Sequence, residues 1–234
     1  MDNADLANIG RQIKKSSIAF VYGENAERTT NREHASGVLI RQNEKRFIVT
    51  AKHCLFQQHD VAFAIFDEGH APIRSRKATS IHSESDSDGI ALIELHPQMS
   101  LPNIPCVRIA EYNAYDPVIV SGYPANRFED DGSIVKVQFV AIPQSVACPD
   151  DLPAGLRIPF QPQVEFAIHF EQEMVDWYED GKSSLDVLGD ISGMSGGGVW
   201  QQIDGKVCLV GIIWGQTPDF VRAYRSELFH NIHH

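Results

Sequence analysis

The sequence predicts an all-β protein built from many short antiparallel strands, packed as barrels or a sandwich. Two observations carry this. Runs rich in Val, Ile and Phe recur along the chain, bounded by Gly, Pro, Asn and Asp. Helical stretches, in contrast, are few. At the N-terminus, "ADLANIGRQIKK" places Leu6, Ile9 and Ile13 on one face, which predicts a short amphipathic helix over 4–15. The strand candidates are "ASGVLIRQ", "KRFIVTA", "DVAFAIF", "GIALIEL", "DPVIVSGYP", "SIVKVQFVAIP", "GGGVWQQ" and "KVCLVGIIWG". They form two strand-rich blocks, roughly 16–110 and 117–215, separated by the polar stretch "EYNAYD". Residues 145–187 carry the weakest pattern: "CPDDLPAGLRIPFQPQ" reads as loop and "EQEMVDWYEDGKSSLD" as acidic loop or short helix. The chain ends in strands and a short C-terminal helix.

The 234 residues suffice for one large domain or two lobes sharing an interface. Twenty basic against 31 acidic side chains leave a net charge of −11, which opposes nucleic acid or an anionic membrane as partner. The densest basic stretch, Arg74 to Lys77, reads as solvated strand or loop. "MDNADLANIG" is acidic where a secretory signal is basic and then apolar, and no apolar run approaches the ~20 residues that span a bilayer. Cys54, Cys106, Cys148 and Cys208 lie far apart without a CxxC pair, which argues against a zinc knuckle or a disulfide scaffold. A cytoplasmic protein without metal or cofactor is expected.

"GDISGMSGGGVW", from Gly189 to Trp200, sets Ser195 among glycines. A serine nucleophile needs a base, a group that orients the base, and donors for the developing oxyanion. Glycines let successive backbone N–H groups turn towards one point. His53 in "FIVTAKHCL" follows an apolar strand and supplies a base; Asp88 in "SDSDGIALIEL" precedes another and supplies a carboxylate. Taken singly, Ser195 reads as a glycine turn with a solvated hydroxyl and His53 as a core histidine. His82 and His169 read as surface or core filling, His230, His233 and His234 as a solvated tail, and Glu171, Glu173, Asp176, Glu179 and Asp180 as a solvated face.

The order His, Asp, Ser is more specific, and with "VTAKHC", "GMSGGGV", "CLVGIIWGQ", "SGVLI" and "VIVSGYP" the chain resembles a chymotrypsin-like (trypsin-fold) serine peptidase over roughly residues 16 to 225. The resemblance implies two antiparallel β-barrels, about 16–112 and 113–225, behind a helical extension over 1–15, with the active site between them. It implies hydrolysis of peptide bonds in a protein or peptide substrate through an acyl-enzyme. Ser195 is then the nucleophile, His53 the base, Asp88 the residue that holds the histidine tautomer, and the N–H groups of Gly193 and Ser195 the oxyanion hole. Gly189, with Asp190 beside it, falls at the floor of the specificity pocket, and Trp214 and Gly215 line the substrate channel.

Three departures from the family pattern bear on mechanism. The family follows its aspartate with one apolar residue, then Ala or Thr, then Leu, so matching Ala91-Leu92 puts Gly89 at the aspartate position. Asp88 therefore stands one residue early, a slip that the adjacent Gly89 can correct with a bulge; Asp86 is the alternative. Ala35 stands where secreted members carry the cysteine that pairs with the one at Cys54, so Cys54 is expected as a buried thiol. Met194 replaces the aspartate that receives a freshly cut N-terminus, and "KKSSIAFVYG" lacks the family's Ile-Val-Gly-Gly start, so activity should need no such cut; a regulatory protein partner is an alternative means of control. The G-x-S-x-G elbow of an α/β-hydrolase is excluded, because its Asp and His must follow the serine with several βα units. A second reading is a catalytically silent peptidase-like module that binds a peptide or protein in its cleft.

Overall fold

The computed structural model describes residues 3–22, 33–42, 44–54, 63–65, 73–75, 80–83, 89–95, 97, 107–125, 128–130, 135–156, 158–170, 175–179, 182–186 and 191–230. Helix α1 spans Asn3–Lys14, with Asp5 in its first turn and Arg11 and Lys14 in its last, the charge order that suits the helix dipole. Seven strands then form the first sheet: β1 (Ser17–Tyr22), β2 (Glu33–Gln42), β3 (Lys45–Ala51), β4 (Phe63–Ile65), β5 (Ile73–Ser75), β6 (Ser80–Ser83) and β7 (Ile90–Glu94). Their order is β5-β4-β1-β2-β3-β7-β6, all pairs antiparallel. Strand β3 reads as a continuous apolar run because both of its faces are covered: Phe47, Ile48 and Val49 are all buried.

The second sheet begins with β8 (Arg108–Ile109), which pairs parallel with the later strand of residues 206–216. Then come β9 (Val118–Gly122), a ribbon of β10 (Phe128–Asp130) with β11 (Val135–Val137), β12 (Val140–Gln144), β13 (Glu165–His169), β14 (Val175–Glu179), β15 (Lys182–Asp186), β16 (Gly198–Ile203), β17 (Lys206–Gln216) and β18 (Phe220–Arg225). Its main path is β13-β18-β17-β16-β9-β12-β14-β15. The Asp204-Gly205 turn between β16 and β17 puts both residues at positive φ, +52° and +71°, as a tight primed hairpin requires. A short helix α2, Glu227–His230, follows.

The all-β expectation holds, with two corrections. "SIVKVQFVAIP" is two strands rather than one: the run breaks before Phe139, whose ring leaves the sheet for the core. The stretch expected as acidic loop or helix is a hairpin, with Glu179 opposite Lys182 across an Asp-Gly pair. Its strands carry acidic residues within the alternation, so composition hid a period that the Asp-Gly dipeptide marks.

One apolar cluster joins the two sheets. It takes Val38, Phe47, Val49 and Leu92 from the first, Ile119, Trp200, Leu209 and Ile212 from the second, and Leu6, Ile9 and Ile13 from α1. The helix packs on β1 of one sheet and on β12, β14, β15 and β17 of the other, so it clamps the junction. Among the described residues no helix is long and apolar enough to cross a membrane. Ile13 is 1% exposed, so Ile13→Ala should cost about 2–5 kcal/mol, read as a lower urea midpoint at unchanged slope. A loss below about 0.5 kcal/mol, the level of a neutral surface change, would mean that the helix is not part of the core.

Candidate active site

The apolar strand β3 runs out at Ala51 into a single 3₁₀ turn, Lys52–Cys54. His53 is exposed there, while Cys54 turns inward and is buried. The turn is tied to the start of β7 by the Lys52 N–H, which donates to the Gly89 carbonyl at 3.0 Å. Gly89 itself has φ +142°, a backbone open to glycine and hardly to other residues.

Ser195 comes from the other sheet, in the segment that leads into β16. Two turns follow one another here. The Met194 N–H donates to the Ile191 carbonyl at 3.0 Å with Gly193 at φ +91°, and the Gly197 N–H donates to the Met194 carbonyl at 2.8 Å with Gly196 at φ +85°. A positive φ at the third residue is the type II arrangement and explains both glycines. The Gly196 N–H is bound as well, to the Ile213 carbonyl at 2.7 Å. Among the described residues, no acceptor engages the N–H of Gly193 or of Ser195.

Ser36 on β2 fixes this loop to the first sheet. Its N–H donates to the Ser195 carbonyl at 2.9 Å, and its hydroxyl donates to the Gly193 carbonyl at 2.8 Å while accepting the Tyr123 N–H at 2.9 Å. Thr50 Oγ1 donates to the Ser36 carbonyl at 2.9 Å. Cys54 touches both candidate catalytic residues: its Sγ lies 3.7 Å from His53 Nε2 and 3.7 Å from the Ser195 backbone carbonyl oxygen.

A glycine-flanked serine and a strand-end histidine, brought together from two antiparallel sheets, match a known family. The sequence fits the trypsin-like peptidase domain over residues 35–212. The chain belongs to that family. Among solved structures, the peptidase is similar to the tobacco vein mottling virus protease, with 13% identity and a TM-score of 0.53 over 92% of this chain and 79% of that one, a likeness of fold. No curated protein matches it.

A cleft of about 390 Å³ starts at His53 and Gly89 and runs along Trp214, Gly215 and Thr217 to Arg222. Trp214 and Gly215 line this cleft. Asp86, Asp88, Gly189, Asp190 and Cys106 lie outside the described residues, as do His233 and His234. Arg222 and its partner Glu165 escaped the sequence reading; a charged residue in the apolar run "FVRAYR" was the available signal. Cys54, Cys148 and Cys208 are thiols. Burial pushes the Cys208 thiol above its ordinary range, opposed by nearby Arg108.

Met194 is fully buried, packed with Val118, Val120, Ile142, Val199 and Ile213 inside the second lobe. Met194→Asp should therefore cost several kcal/mol near neutral pH, since a lone carboxylate would enter an apolar core. Burial raises such a carboxyl's pKa in the folded state. The ionisation part of the penalty should thus be absent below the unfolded carboxyl's titration, leaving only the packing loss, and grow as pH rises towards the raised folded value. Urea denaturation at several pH values checks this, and a pH-independent loss would contradict it.

Proposed function

We propose that the peptidase is a serine endopeptidase acting through an acyl-enzyme. The observation that carries the reading is the nucleophile loop. The backbone N–H groups of Met194, Gly196 and Gly197 are spent within the fold, while no acceptor among the described residues takes those of Gly193 and Ser195. Two donors held by fixed turns suit an oxyanion, because they need no reorganisation when the charge develops.

Ser195 Oγ attacks the substrate carbonyl as His53 takes its proton, and His53 returns that proton to the leaving amine. Water then repeats the sequence on the acyl-enzyme and frees the acid product. Asp88 orients the imidazole. In support, the adjacent Gly89 has φ +142°, and its carbonyl accepts the Lys52 N–H next to His53. The thiol at Cys54, in the place of a family disulfide, supports work in a reducing compartment, the cytoplasm. Substrates are proteins or peptides. The apolar seat of Met194 favours a loop that stands ready without cleavage of the N-terminus.

A fluorophosphonate probe should label the protein at Ser195, located by mass spectrometry of the modified peptide. Ser195→Ala and His53→Ala should each lower kcat on the order of 10⁶-fold, and Asp88→Asn on the order of 10⁴-fold. If Asp86→Asn takes the larger loss, that carboxylate is the orienting one. A folded protein with neither label nor turnover would leave a peptide-binding module in place of an enzyme.

A further inference from the structure

Behind the channel wall lies a buried ion pair that the proposed chemistry does not use. Arg222 on β18 and Glu165 on β13 have side chains only 5% and 2% exposed. Arg222 Nε donates to Glu165 Oε2 at 2.9 Å and Nη2 to Glu165 Oε1 at 2.5 Å. Its remaining bonds reach the wall opposite: Nη1 donates to the Ile158 carbonyl at 2.7 Å and Nη2 to the Pro159 carbonyl at 2.9 Å. Four of the five guanidinium N–H groups are so committed.

The same pair holds Trp214. The indole N–H donates to Glu165 Oε2 at 2.9 Å, and the Arg222 guanidinium lies over the ring, 4.3 Å from its centre. Trp214 sits at a register shift between β17 and β18, the kind of bulge that re-aims a side chain beside a site. Leu156 and Ile158 line the same cleft, the latter 43% exposed despite its size. A Cβ placed on Gly215 would meet nothing within 4 Å, so the strand beside Trp214 is open to an arriving chain.

We propose that Arg222 and Glu165 are specificity determinants: they make this part of the cleft a charge-neutral slot for an apolar substrate side chain, branched aliphatic or aromatic, at one fixed position near the scissile bond. The proposal rests on the endopeptidase reading for its place in catalysis. Physically, the slot offers apolar walls and a cation whose charge is already met. A substrate carboxylate would find at most one guanidinium N–H and would face Glu165 beside it. A substrate ammonium would lose water and meet Arg222. Arg222 also pins the Ile158–Pro159 backbone, so it shapes the apolar wall as well as neutralising the charge behind it.

The test uses the full-length Ser195→Ala protein and fluorescent peptides of fixed backbone with one position varied, read by fluorescence polarisation. Peptides with Leu, Ile or Phe at one position should bind at least about tenfold more tightly than those with Asp or Lys there. Leu156→Ser with Ile158→Ser, made at the cleft wall, should reduce that difference to about threefold or less. Glu165→Gln, which leaves Arg222 unpaired, should bring the Asp peptide to within about threefold of the Leu peptide. Equal binding of Leu, Asp and Lys peptides, no binding of any, or discrimination that survives the double wall change would overturn the proposal. Persistent exclusion of Asp by a folded Glu165→Gln protein would overturn the role of the pair. If Glu165→Gln fails to fold, the wall variant decides. Discrimination in this assay without cleavage by the native chain would count against the peptidase reading alone.

Discussion

The candidate site depends on a single strand residue. Ser36 offers three polar groups, and each is bonded: N–H to the Ser195 carbonyl, hydroxyl to the Gly193 carbonyl and from the Tyr123 N–H, carbonyl from the Thr50 hydroxyl. Through these bonds the first sheet, which carries His53, holds the loop of the second sheet, which carries Ser195. Ser36 is fully buried, so none of these bonds competes with water, and losing one would leave a buried polar group unsatisfied. The turn that carries His53 and the loop that carries Ser195 are thus both anchored to β2 and β3 through Ser36 and Thr50.

Close contact of this kind leaves little room for side chains. A Cβ on Gly196 would collide with the Ser36 carbonyl and with Thr50 Oγ1, apart from the strain at φ +85°. Gly193 is limited in the same way, at φ +91° with Ala125 N 2.8 Å from where its Cβ would stand. The glycines on either side of Ser195 therefore have two reasons to be there. They permit the turns around Ser195, and they allow close approach: of Gly196 to β2 and β3 of the first sheet, and of Gly193 to the Tyr123–Ala125 segment of the second.

Much of this was legible in the sequence. The strands β3 and β7 and the His53 and Ser195 motifs are local patterns, and continuous apolar runs or glycine clusters reveal local patterns well. The hairpin β14–β15 was not legible, because acidic residues interrupt its alternation. Nor were Glu165 and Arg222, 57 residues apart along the chain and joined only by the pairing of β13 with β18. Each by itself reads as a solvated charge; the cost of burying it is met by a partner that no local pattern reveals. Met194 lay between. Its lack of charge was plain from the sequence, while its burial inside the second lobe emerged only from packing.

The same packing bears on how the oxyanion loop is kept in order. In a design that waits for a new N-terminus, a buried carboxylate needs a buried ammonium, and the loop collapses without it. Here the position is filled by a thioether among aliphatic side chains, which needs no partner of opposite charge. The chain around Ser16 is equally unsuited to release. The Ser16 N–H donates to the Ile13 carbonyl at 2.9 Å, and the Ser16 carbonyl accepts the Leu39 N–H at 2.6 Å. A cut after Lys15 would also free α1, whose Leu6, Ile9 and Ile13 belong to the core between the sheets. Trimming would expose that core and place no charge where one is wanted. The N-terminal segment therefore packs as a structural clamp, and the loop that carries Ser195 is held by Ser36, the paired glycine turns and the apolar seat of Met194.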